Sequence, residues 1–77
     1  MKKVIVYGTG CKNCNEAKLK IEAFAQANDL DIELSYEKDM MAIMDAGVMS
    51  TPGISVDGKL LHTGSTPTDE QLAEYLQ

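Results

Sequence analysis

Apolar and polar positions change period several times along the chain, and each change marks an element. Val4-Ile5-Val6-Tyr7 is a continuous β-favouring apolar run, which suits a strand buried on both faces at the centre of a sheet. Gly8 and Gly10 end it and allow a sharp turn. From Cys11 to Gln26 the period becomes helical. Cys14, Ala17, Ile21, Phe24 and Ala25 step by three and four residues and form one apolar stripe. Cys14 begins the stripe and is expected to be the more buried sulfur. Cys11 precedes it at the helix start and is expected to be the more exposed one. Glu16 and Lys20 stand in the favourable i,i+4 order on the wet side. Asn28-Asp29 breaks the helix. Ile32, Leu34 and Tyr36 then alternate with Glu33, Ser35 and Glu37, the pattern of a half-exposed strand at a sheet edge.

The pattern shortens after this βαβ unit, whose crossover should be right-handed and its strands parallel. Asp39 can cap a short helix over Met40 to Ala46, and Gly47 can end it. A loop, Val48 to Gly53, leads into Ile54-Ser55-Val56. Asp57-Gly58 reads as a two-residue hairpin turn, with Lys59 to Thr63 as the return strand. Thr66 is the expected N-cap of a last helix and Pro67 its first residue. Leu72, Ala73 and Leu76 supply its apolar face. With no repeat or linker, residues 1–77 read as one domain.

Composition narrows the class. A chain of 77 residues buries only about 60% of its unfolded surface, so its core is small and its stability marginal. No apolar run approaches the roughly 18 residues of a membrane span. Met1-Lys2-Lys3 followed by four apolar residues is too short for a signal-peptide core, so a cytoplasmic protein is expected. The net charge of −5 argues against a nucleic-acid partner. The charge is uneven: residues 1–26 carry five lysines and two glutamates, and the remainder carries two lysines and ten carboxylates. The lysine-bearing half either steers acidic partners or merely keeps the protein soluble. Four of the five methionines fall at 40, 41, 44 and 49. Core filler is the favoured reading, followed by an adaptable partner surface or soft-metal ligands.

The candidate chemistry lies in Gly8-Thr9-Gly10-Cys11-Lys12-Asn13-Cys14, which holds both cysteines. Two cysteines cannot build the framework of a secreted mini-domain. A structural bridge over so short a loop would contribute only about 2 kcal/mol. Disulfide exchange needs a thiolate, a second thiol within reach and access for the partner. A free thiol ionises near pH 8.5, and the unpaired N–H groups at a helix start favour the anion. Lys12 adds a positive charge beside Cys11. Cys11 is thus the expected nucleophile, forming a mixed disulfide that Cys14 resolves. The competing readings are a Cu(I) carrier that uses the same CxxC, a partner-binding module without turnover, and two inert packing thiols. His62, the sole histidine, reads as a surface residue, Tyr7 as packing and Thr9 as turn geometry.

Together with Val48-Met49-Ser50-Thr51-Pro52-Gly53-Ile54, Val56-Asp57-Gly58-Lys59 and Gly64, this stretch resembles the thioredoxin superfamily, specifically its small, glutaredoxin-sized redox disulfide proteins. The resemblance covers nearly the whole chain. It implies an α/β minimal thioredoxin fold, a mixed four-stranded sheet ordered 2-1-3-4 with three helices on its two faces. It also implies a cis peptide before Pro52, beside the cysteines, with Thr51 offering its backbone to a partner peptide. From the residues alone, an ordinary trans proline at a strand entrance is equally open. The implied activity is thiol–disulfide oxidoreduction on protein disulfides by a monomer. A flavin-dependent reductase would recharge it, and it would need no cofactor beyond the redox-active Cys11–Cys14 disulfide. The chain departs from ordinary thioredoxins in three places. Gly10 stands where they have Trp, Lys12-Asn13 where they have Gly-Pro, and the first strand lacks their buried acidic proton acceptor. The Cys-Pro-Tyr-Cys and Gly-Gly glutathione signatures of glutaredoxins are missing as well.

Overall fold

The computed structural model describes residues 2–10 and 12–76. The elements run β1 (Lys2–Tyr7), α1 (Lys12–Ala27), β2 (Ile32–Glu37), α2 (Met40–Asp45), β3 (Gly53–Val56), β4 (Lys59–Thr63) and α3 (Asp69–Leu76). They form one four-stranded sheet in the order β2-β1-β3-β4. β1 pairs parallel with β2 and antiparallel with β3, and β3 pairs antiparallel with β4. The βαβ unit and the hairpin therefore stand as the apolar pattern implies.

β1 is central, but only alternate residues are sealed. Val4 and Val6 are fully buried, while Ile5 and Tyr7 are half-buried. The core lies on the Val4 and Val6 side, where Ile54 and Val56 join Ala17 and Ile21 of α1 and Leu72 and Leu76 of α3. α2 contributes only Ile43 to the interior. The following Val48 packs on Gly53, whose absent Cβ would lie 2.6 Å from a Val48 methyl.

Helices α1 and α2 end in the same way. Leu30 N–H reaches back to the Ala25 carbonyl and Asp29 N–H to Gln26, with Asp29 at φ 56°. Val48 N–H reaches Ile43 and Gly47 N–H reaches Met44, with Gly47 at φ 86°. Both are Schellman closures around a left-handed residue. Asp57 (φ 52°) and Gly58 (φ 85°) make the two-residue turn with both angles positive. Asp57 also locks the turn to β1. Its carboxylate accepts from Lys3 N–H at 2.9 Å, and its own N–H donates to the Lys3 carbonyl at 2.8 Å.

Four expectations are corrected. The cap of α3 is Thr68, not Thr66: Gln71 N–H donates to Thr68 Oγ1 at 3.2 Å, and Thr68 N–H donates to Gln71 Oε1 at 3.0 Å. This reciprocal capping box satisfies two orphan donors and starts the helix two residues after Pro67. The methionines are not core filler. Met40, Met41 and Met44 are 64–68% exposed and Met49 is 97% exposed, because a helix of six residues has room to bury one side chain and Ile43 takes that place. His62 is half-buried and bridges two elements, with Nδ1 3.1 Å from Tyr75 Oη and Nε2 2.9 Å from the Ser65 carbonyl. Lys20 faces Asp69 of α3 at 3.9 Å, rather than being held by Glu16 along its own helix.

Candidate functional site

The site is built where β1 hands the chain to α1. Gly8 extends the β1–β2 pairing by donating its N–H to the Glu37 carbonyl at 3.0 Å. The turn then needs a left-handed residue, and Gly10 supplies it at φ 90°. Gly8 is required for a different reason. A Cβ there would lie 2.5 Å from Cys14 Sγ, 2.7 Å from Cys14 Cβ and 3.0 Å from Tyr36 Oη. The sequence of strand, glycine and helix thus presses the third residue of α1 directly onto the end of β1.

Cys14 has no solvent exposure and is not a free thiol. It opens the buried stripe of α1 that continues through Ala17, Ile21 and Ala25, as its spacing implies. Lys12 is the first residue of α1 and is exposed, as is Asn13. The exposed, nucleophilic role assigned to Cys11 falls on a residue outside those described.

Thr51 and Pro52 reach the same end of the sheet through strand register. Gly53 opposes Tyr7, so Pro52 stands one step further, alongside Gly8. The Thr51–Pro52 peptide is cis. Pro52 is fully buried and Thr51 half-buried. The Pro52 carbonyl accepts from Gly64 N–H at 3.0 Å, which fastens the loop after β4 to this corner. Thr66 closes the ring by donating its hydroxyl to the Asn13 carbonyl at 3.4 Å. Lys12, Asn13, Cys14, Thr51 and Pro52 therefore share one end of the sheet. The loop that delivers Thr51 also carries the exposed Met49, and with Met40, Met44, Gly47 and Val48 it lines an open cleft of about 340 Å³.

Sequence reasoning missed Tyr36, which it took as one member of an alternating edge strand. The register pairs Tyr36 with Val6, two residues from Gly8, and its hydroxyl is buried near Cys14. The Lys38 ammonium lies 5.5 Å and that of Lys18 6.0 Å from its ring centroid. Among the described residues no group of three or more His, Cys, Asp or Glu could hold a metal ion, and no helix is long and apolar enough to cross a membrane.

A parallel βαβ unit joined to an antiparallel hairpin in the order 2-1-3-4, with three helices, defines a minimal thioredoxin fold. A thioredoxin domain family model matches residues 1–77. A thioredoxin of Methanothermobacter thermautotrophicus is 33% identical over 76 residues, covering 99% of each chain. A thioredoxin of Methanocaldococcus jannaschii is 28% identical over 72 residues, covering 94% of this chain and 83% of that one. The chain belongs to the thioredoxin domain family.

Proposed function

We propose that the chain is a thiol–disulfide oxidoreductase that reduces protein disulfides through Cys11 and Cys14. The observation that carries this reading is the seat of Cys14, sealed from solvent in the first turn of α1 and disulfide-bonded rather than free. A partner cannot reach a sulfur with no exposure, so the entering role belongs to Cys11 and the resolving role to Cys14. The similarity to proteins named thioredoxin supports the same chemistry.

In the reaction, Cys11 thiolate attacks one sulfur of the partner's disulfide. A mixed disulfide forms, and the partner's other sulfur leaves as a thiolate that takes up a proton. Cys14 gives up its proton and attacks Cys11 sulfur. The mixed disulfide breaks, the Cys11–Cys14 bridge forms, and the second partner thiol departs reduced. The N–H groups of the first turn of α1 and the Lys12 ammonium stabilise the Cys11 thiolate. Thr51 offers its backbone to the partner peptide beside Pro52. Met40, Met44 and Met49 give that partner an adaptable apolar surface, since Met side chains repack easily against varied sequences. A flavin-dependent reductase returns the pair to dithiol, and the protein works as a cytoplasmic monomer.

Reduction of insulin disulfides tests the reading, together with Cys14→Ser as a trap. The wild type should turn over, and Cys14→Ser should accumulate a covalent adduct that reductant releases. A wild type that neither forms a reversible intramolecular bridge nor cleaves insulin disulfides would refute the proposal.

A further inference from the structure

Two buried side-chain oxygens find no hydrogen-bond partner among the described residues, Tyr36 Oη and Ser55 Oγ. A buried phenol without a partner is uncommon and calls for an explanation. Its position supplies one. Tyr36 Oη and Cys14 Sγ both lie within 3.0 Å of a single point, the place where Gly8 would carry a Cβ. With 2.5 Å from that point to the sulfur and 3.0 Å to the hydroxyl, the two atoms are at most about 5.5 Å apart, and glycine places no side chain at the point they both face. β1 contributes no carboxyl group here, since its residues are Lys2-Lys3-Val4-Ile5-Val6-Tyr7.

We propose that Tyr36 is the hydrogen-bond donor that stabilises the Cys14 thiolate when the cysteine pair is reduced. The inference rests on the thiol–disulfide reading above. A disulfide sulfur is a weak acceptor, and the phenol gains little from it. A thiolate is a strong one, and a charge-assisted bond to it is roughly twice as strong as a neutral bond. The hydroxyl is therefore orphaned in the bridged form and satisfied in the reduced form, which favours reduction. The ammonium groups of Lys18 and Lys38 flank the ring and help hold its orientation.

The same bond serves the resolving step. Cys14 loses its proton to water or to the departing partner thiolate. Tyr36 keeps its own proton and shares it with the sulfur. Cys14 then forms its bond to Cys11 as the bond from Cys11 to the partner breaks. No electron or proton passes through Tyr36, so it acts as a positioning and stabilising residue.

The test compares wild type, Tyr36→Phe and Tyr75→Phe after equilibration in glutathione buffers, with the oxidised fraction counted by alkylation and mass spectrometry. Tyr36→Phe keeps the ring and removes only the hydroxyl. It should shift the dithiol–disulfide equilibrium about tenfold toward the bridge, lowering the potential by about 30 mV. Release of a thiol from a Cys11 mixed disulfide should slow by roughly three- to tenfold, since thiolate availability governs exchange rates. Tyr75→Phe, whose hydroxyl meets His62, should match the wild type in both. A measurement on the unaltered protein stands independently of how the variant folds. Its tyrosine near-ultraviolet band should move to longer wavelength on reduction, because the phenol becomes a donor to an anion. A wild type that cycles normally while Tyr36→Phe keeps its potential and its resolution rate overturns this inference alone, as does a tyrosine band unmoved by reduction. A wild type with no reversible bridge removes the parent reading as well.

Discussion

Gly8→Ala is the sharpest perturbation the site allows, because one added carbon probes the contact on which the site's geometry rests. Gly8 is not among the glycines with positive φ, so the change carries no left-handed backbone penalty. On backbone grounds alone alanine would stabilise by about 0.4–1 kcal/mol, since it restricts the unfolded chain. The packing acts in the other direction. The new methyl would sit 2.5 Å from Cys14 Sγ and 2.7 Å from Cys14 Cβ, well inside the 3.5–4.0 Å at which non-bonded carbons rest. Cys14 cannot swing away, because it is fully buried and its Cβ is held by α1. Overpacking costs about 1–3 kcal/mol; contacts as short as these fall in the upper half of that range, so a net loss of about 1–2.5 kcal/mol remains after the backbone gain. For a domain of this size, each 1 kcal/mol lowers the melting temperature by roughly 4–8 °C, so a fall of about 5–20 °C is expected. Thermal denaturation followed by circular dichroism measures it, under oxidising and reducing conditions. The fall should persist in the Cys14→Ala background, because the Cβ contact at 2.7 Å survives loss of the sulfur. A Gly8→Ala protein that melts at or above the wild-type temperature would show that α1 does not press on the end of β1, and the geometry drawn for Cys14 and Tyr36 would fall with it.

Two further outcomes follow from particular contacts. Thr68→Ala should destabilise by about 1 kcal/mol through loss of the α3 cap, while Thr66→Ala, whose hydroxyl makes only a 3.4 Å bond to Asn13, should cost less; urea titration distinguishes them, and the reverse order would restore Thr66 as the cap. Replacing Met40, Met44 and Met49 together by Gln should leave the urea midpoint nearly unchanged, since exposed positions contribute within about 0.5 kcal/mol, yet raise the KM for a protein disulfide several-fold without changing the rate on a small aromatic disulfide. Equal KM values for the protein substrate would remove the apolar surface from the proposal.

The parts of the fold that could be read in advance are those set by neighbours in the chain. The βαβ unit, the Asp57-Gly58 hairpin and the burial of Cys14 follow from periods of two and about four residues and from turn chemistry, all of which act over a few positions. The Thr68-Asp69-Glu70-Gln71 capping signature is equally local, but Thr66-Pro67 two residues earlier offers a competing start, and only the Thr68–Gln71 hydrogen bonds decide between them. The methionines illustrate the limit of such reading. Apolar residues at 40, 41 and 44 fit an interior as well as a surface, and only the shortness of α2 and the packing of Val48 on Gly53 left Ile43 and Val48 as the buried members.

By itself the sequence determined the elements, their order and the stripe of α1 that Cys14 opens, because backbone preference and hydrophobic period are local properties. The tertiary structure alone decided what surrounds Cys14. Tyr36 and Gly8 are 28 positions apart in the chain, and Thr66 is 53 from Asn13. They meet only because parallel pairing sets the end of β2 beside the end of β1 and the sheet order returns the last loop to the same corner. No local pattern encodes those approaches, since each depends on which strand lies next to which and on how closely a glycine lets a helix come.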